Sequence, residues 1–130
     1  TTSTPSPFSA PTSRMNQKYE PQMKEIKAFI LKDTLELVIL SLARIEGLSG
    51  VSVCSISGFG RSRGILQLVD FSTHIKVEAV CDDTLKDTVV ATILRIASSG
   101  HRGDGKIFVS TIDEAYQVET GAPLVEESPA

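Results

Sequence analysis

A chain of 130 residues with 41% hydrophobic and 22% charged side chains has the length and composition of one globular domain with its own core. Its net charge of −3 argues against general nucleic-acid binding, which draws on an excess of Lys and Arg to meet phosphates. No apolar run reaches the roughly 20 residues that span a bilayer, the start lacks the charged-then-apolar order of a secretory signal, and two cysteines without Cys-x-x-Cys make neither a disulfide framework nor a zinc site. A cytoplasmic protein without membrane insertion is the expectation.

Residues 1–22 are rich in Ser, Thr and Pro, with Phe8, Met15 and Tyr19 as isolated apolar groups. They bury too little to offset the entropy of ordering, so a disordered tail is predicted, with a domain over 23–121 and a flexible end over 122–130. An internal repeat follows. Ile26-Lys27-Ala28 opens a strand and Asp33-Thr34-Leu35 a helix, with Leu35, Val38, Ile39, Leu42 and Ile45 at helical spacing. Ile75-Lys76-Val77 and Asp83-Thr84-Leu85 repeat the arrangement, with Leu85, Val89, Ile93 and Ile96 as the helical stripe. Asp33 and Asp83 are predicted N-caps, and Gly47 and Gly100 the stops. A further strand follows each helix, over residues 51–57 and 106–110. Two strand-helix-strand units in tandem predict an α+β, ferredoxin-like βαββαβ fold, a four-stranded antiparallel sheet with both helices on one face. The other face is left free, which favours oligomerisation. Pairing the middle strands by pattern sets Cys54 opposite Cys81, Ile56 opposite Ala79 and Gly58 opposite Val77, with Ser55 and Ser57 facing Val80 and Glu78. That places the two thiols within reach of a disulfide, although two small buried hydrophobes in a reduced compartment are the stronger expectation.

The chemistry concentrates in two glycine-rich segments. Gly100-His101-Arg102-Gly103-Asp104-Gly105-Lys106 combines glycines, which let a ligand approach backbone amides, with two fixed cations that suit phosphate. A turn leading into a strand is the plainer reading of the same residues. Gly58-Phe59-Gly60-Arg61-Ser62-Arg63-Gly64 reads either as a second anion-binding loop or as the start of an exposed hairpin. His74 and His101 lie in or beside these segments, as phosphate donors or bystanders. No thiol or carboxylate stands at ligand spacing to them, so no metal site is predicted. No Ser-His-Asp or Cys-His spacing points to an enzyme.

Gly58-Phe59-Gly60-Arg61, then Gly103-Asp104-Gly105-Lys106-Ile107-Phe108-Val109 and Glu119-Thr120-Gly121 resemble the PII signal-transduction family over about residues 23–121. The resemblance implies a homotrimer with an adenine nucleotide in each of three clefts between subunits. Arg61 and Lys106 would hold phosphates, and Gly100, His101, Arg102, Gly103, Asp104 and Gly105 would surround the phosphate chain. Glu78 and Val80 would lie by base and ribose, with Ser52, Val53 and Gly58 on the same wall. Three departures bear on function. The long effector loop is reduced to Ile65-Leu66-Gln67-Leu68-Val69 between Gly64 and Asp70, and Tyr19 and Tyr116 lie elsewhere, so uridylylation is not expected. Ser62 replaces the loop glutamine that helps place magnesium and 2-oxoglutarate. Gln117 and Glu119 stand where the family has arginines for the terminal phosphate. The expectation is a regulator that binds ADP or AMP at least as tightly as ATP, with magnesium open and 2-oxoglutarate sensing doubtful, acting on an unidentified transporter or enzyme. The alternative is a trimeric interaction protein without nucleotide binding, serving inorganic-carbon or metal transport.

Overall fold

The computed structural model describes residues 22–69, 73–101 and 103–124. The predicted loose ends and Arg102 lie wholly or largely outside these residues, as does the side chain of Ser62. In chain order the elements are β1 (Met23–Leu31), a 3₁₀ turn (Lys32–Thr34), α1 (Leu35–Leu42), β2 (Val51–Ser55), β3 (Gly58–Ser62), β4 (Ile65–Val69), β5 (His74–Asp82), α2 (Asp83–Ala97) and β6 (Gly105–Ile112). Four strands form an antiparallel sheet in the order β2-β5-β1-β6, and β3 and β4 form a separate hairpin. The order matches the ferredoxin-like expectation, with the hairpin inserted at the midpoint of the repeat.

Strand alternation sets the layers. Ile26, Ala28 and Ile30 of β1 and Ile75, Val77, Ala79 and Cys81 of β5 are buried. Most of them form one core with Val38 and Leu42 of α1 and Val89, Ile93 and Ala97 of α2. Leu35, Ile39, Ile45, Leu85 and Ile96 pack around it, so both helical stripes read from the sequence meet the sheet. The intervening residues point to the uncovered face. Because directly paired residues share a face, Ser52 with Glu78, Cys54 with Lys76, Phe29 with Lys106 and Lys27 with Phe108 lie there together.

This register corrects the predicted pairing of the middle strands. Cys54 stands opposite Lys76, not Cys81, and Val51 and Val53 stand opposite Ala79 and Val77. β2 offers two apolar phases, Val51/Val53 and Cys54/Ile56, and the structure sets the first against the helix side. The second strand stops at Ser55, and Ile56-Ser57 leads into the hairpin. Cys54 therefore lies on the uncovered face while Cys81 is in the core, and the two are not joined in a disulfide.

The caps also differ from expectation. Asp33 sits within the 3₁₀ turn, and Thr34 precedes α1 with its hydroxyl turned back to the Leu31 carbonyl at 2.8 Å. Asp82, not Asp83, precedes α2, and its carboxylate accepts from the Thr84 hydroxyl at 3.1 Å without bonding a backbone amide. The helices end before the predicted glycines, at Leu42 and Ala97. Gly47 and Gly100 lie in the following turns, both at positive φ. No described helix is long and apolar enough to cross a membrane.

Candidate functional site

The segment 58–69 is a short hairpin, as its plainer sequence reading anticipated. Arg63 (φ 54°) and Gly64 (φ 79°) form its two-residue turn, the left-handed pair that matches the twist of the flanking strands. Alternation along β3 and β4 puts Phe59, Arg61, Leu66 and Leu68 on one side. The Arg61 guanidinium lies 5.7 Å from the centre of the Phe59 ring, a cation–π distance.

Between this hairpin and the uncovered face near β1 and β6 opens a cleft of about 480 Å³. Of the predicted site residues it gathers Gly58, Arg61, Gly103, Gly105 and Lys106, with His74 beside them. The close approach of loop and sheet depends on Gly105: at φ 128°, a Cβ there would overlap the Phe29 carbonyl oxygen. A Cβ on Gly103, at φ 91°, would stand 3.7 Å from Gln67 Oε1 of the hairpin, so loop and hairpin are in contact range. His74 reinforces this end of the loop, with Nε2 3.0 Å from the Gly103 carbonyl and Nδ1 2.9 Å from the Thr73 hydroxyl.

The first half of the loop is closed by the protein's own carboxylate. The Ser99 hydroxyl donates to Asp104 Oδ1 at 2.6 Å, the Ser99 amide to Oδ2 at 2.7 Å and the His101 amide to Oδ2 at 3.3 Å. With its proton on Asp104, the Ser99 hydroxyl accepts from Nδ1 of His101 at 2.9 Å. The Ser99 hydroxyl, then the Ser99 amide, hold the Asp104 carboxyl below its ordinary value, with the His101 and Gly100 amides adding to the effect. Amides that a phosphate would use thus already meet an anion, and Gly103, Gly105 and Lys106 are left to border the cleft. Asp104 instead borders a second groove of about 380 Å³ between α2 and β6.

Ser52, Glu78 and Val80 lie on the uncovered face but not around this cleft, and Val53 points to the helix side. Glu78 pairs with Lys76 at 3.2 Å. Gln117 and Glu119 belong to a C-terminal turn, with the Gly121 amide on the Gln117 carbonyl and the Gln117 amide on the Ala122 carbonyl, both at 2.8 Å. Neither borders the cleft of its own subunit. Sequence reasoning missed the apolar lining: Phe29 and Phe108, edge to face with centroids 6.0 Å apart, together with Ile56 and Val69. Phe29 sits out of phase with Ala28 and Ile30, and that alternation was the available signal. Among the described residues no group of three His, Cys, Asp or Glu side chains is placed to hold a metal ion.

A four-stranded ferredoxin-like sheet with a glycine-and-cation cleft beside an inserted hairpin is the class that fold and site define. The family model "Nitrogen regulatory protein P-II" matches residues 23–122. The nitrogen regulatory protein P-II of Bradyrhizobium diazoefficiens is 41% identical over 106 residues, covering 76% of this chain and 94% of that protein. Nitrogen regulatory protein P-II 1 of Escherichia coli K12 is 40% identical with the same coverage. The solved structure of the B. subtilis GlnK–ATP complex shares the fold with a TM-score of 0.65 at 24% identity, covering 78% of this chain and 92% of that one. The chain belongs to the P-II nitrogen regulatory protein family and is a signalling protein of that kind. Since 76% of 130 residues is fewer than the 106 aligned positions, these relatives carry residues that this chain lacks.

Proposed function

We propose that this protein is a homotrimeric regulator that binds an adenine nucleotide in the clefts between subunits and reports its presence to a partner transporter or enzyme. The observation that carries the reading is the convergence of Arg61, Lys106, Gly103 and Gly105 on one cleft. Two cations beside glycine backbone suit a phosphate chain, and the apolar lining from Phe29, Phe108 and Ile56 suits a base. The B. subtilis GlnK structure of the same fold is that of an ATP complex. The uncovered sheet face, which carries Phe29, Phe108 and Val80, supplies the surface on which subunits pack. In such a trimer Ser52, Glu78 and Val80 complete the wall from a neighbouring subunit or by closure of the cleft, and Ser62, Gly100, His101 and Arg102 flank the phosphates.

ADP or AMP is favoured over ATP in this reading. Gln117 and Glu119 offer no cation to a terminal phosphate, and a carboxylate there opposes one. Ser62 is too short to reproduce the contact of a glutamine, so magnesium is held weakly and 2-oxoglutarate adds nothing. Calorimetric titration with ATP, ADP and AMP, with and without magnesium and 2-oxoglutarate, tests this preference. The expected result is ADP or AMP binding at least as tightly as ATP without synergy. ATP binding more than ten-fold tighter than ADP, or synergy with 2-oxoglutarate, would overturn it.

A further inference from the structure

We infer that His74 is a third, proton-dependent cation of the cleft, so that nucleotide binding is coupled to proton uptake. The inference rests on the nucleotide reading above but concerns a different residue and a different readout. His74 borders the same cleft as Arg61 and Lys106. Its two ring nitrogens have unlike partners. The Gly103 carbonyl, 3.0 Å from Nε2, only accepts, so Nε2 carries a proton in either charge state. The Thr73 hydroxyl, 2.9 Å from Nδ1, can donate to a neutral ring or accept from a charged one. The imidazole can therefore gain its second proton in place, keeping both contacts and its hold on the loop. What changes is one unit of charge at the cleft wall.

The surroundings set the sign. The charged groups on the elements packed around it are Arg61 of the hairpin, Lys106 of β6, Lys76 and Glu78 paired with each other on its own strand, Lys32 and Asp33 on the turn bonded to the Thr73 carbonyl, and Asp104. Asp104 is committed to Ser99 and His101, so the fixed charges that border the cleft among the described residues are those of Arg61 and Lys106. A bound phosphate adds negative charge beside the imidazole. Protonation of His74 is then easier in the complex than in the free protein, and by linkage the ligand binds more tightly as the pH falls through the range in which histidines change charge.

The test compares the wild-type protein with His74→Gln, which keeps an N–H donor for the Gly103 carbonyl but does not titrate, and with His74→Lys, whose charge is fixed. ADP affinity is measured from pH 8 to pH 6, and proton uptake by calorimetry in buffers of different ionisation enthalpy. The nucleotide's own phosphate and His101 are common to all three proteins, so the differences between them report His74. Wild-type affinity is expected to rise about three- to ten-fold more than that of His74→Gln on acidification. It should also take up more protons per ADP bound, and His74→Lys should stay at the acid-side level throughout. Superimposable pH profiles and equal proton counts in wild type and His74→Gln would overturn the assignment while leaving nucleotide binding intact. Absence of ADP binding in all three proteins at every pH would overturn both.

Discussion

Two residues of the glycine-rich loop do work that their spacing does not reveal. Gly105 is there because β1 leaves no room: a Cβ would overlap the Phe29 carbonyl oxygen, and φ is already in the region that side chains avoid. Gly105→Ala is expected to cost at least about 2 kcal/mol of unfolding free energy, read from the shift of a denaturant midpoint at constant m; a shift within error would mean that the strand relaxes around the methyl. Asp104, in a loop otherwise suited to anions, is a structural carboxylate closing the turn after α2 through Ser99 and His101. Because these bonds favour its ionised form, its folded pKa is depressed. Its contribution is therefore complete above the ordinary Asp value of about 3.9 and fades as pH falls through the lower folded value. At neutral pH the loop is closed. Asp104→Ala should speed hydrogen exchange of the Ser99 and His101 amides while the slowly exchanging β1 and β5 amides are unchanged; unaltered exchange at Ser99 would show that the carboxylate is not what orders the turn.

At the scale of elements, period decided what the sequence could and could not show. The helical stripes that include Leu42 and Ile93 were legible because a 3.6-residue repeat admits one buried face, and both residues are in the core. Ile93→Ala is expected to lose about 2–5 kcal/mol of stability, checked by urea unfolding; a loss below 1 kcal/mol would place Ile93 outside the core. The four strands and their order were legible from the tandem repeat. The register of β2 was not. Val51-Ser52-Val53-Cys54 is apolar in both phases of a two-residue repeat, and only the early departure of Ile56-Ser57 into the hairpin selects one. Of the cleft, Arg61, Gly103, Gly105 and Lys106 could be read because glycines and cations have few reasons to cluster. Phe29, Phe108 and the contact of His74 with Gly103 could not, since they arise only when β1, β6 and the start of β5 are brought side by side.

Among the described residues one face of the sheet is left uncovered, and that face carries both apolar and charged side chains, including the exposed Phe108. Three copies closing over it are expected, with each cleft completed by a neighbour; sedimentation equilibrium should give about three times the 14.0 kDa of the chain, and a stable monomer at micromolar concentration would contradict this. The short hairpin leaves Phe59 and Leu68 largely exposed beside Arg61. The central claim is that Arg61 and Lys106 hold the phosphates of an adenine nucleotide. Calorimetric affinities for ADP of the wild type, Arg61→Ala and Lys106→Ala test it most directly. Each substitution should weaken binding by about 1.5–3 kcal/mol, the worth of one charge-assisted hydrogen bond, with the unfolding midpoint unchanged. Unaltered ADP affinity in both variants would contradict the account.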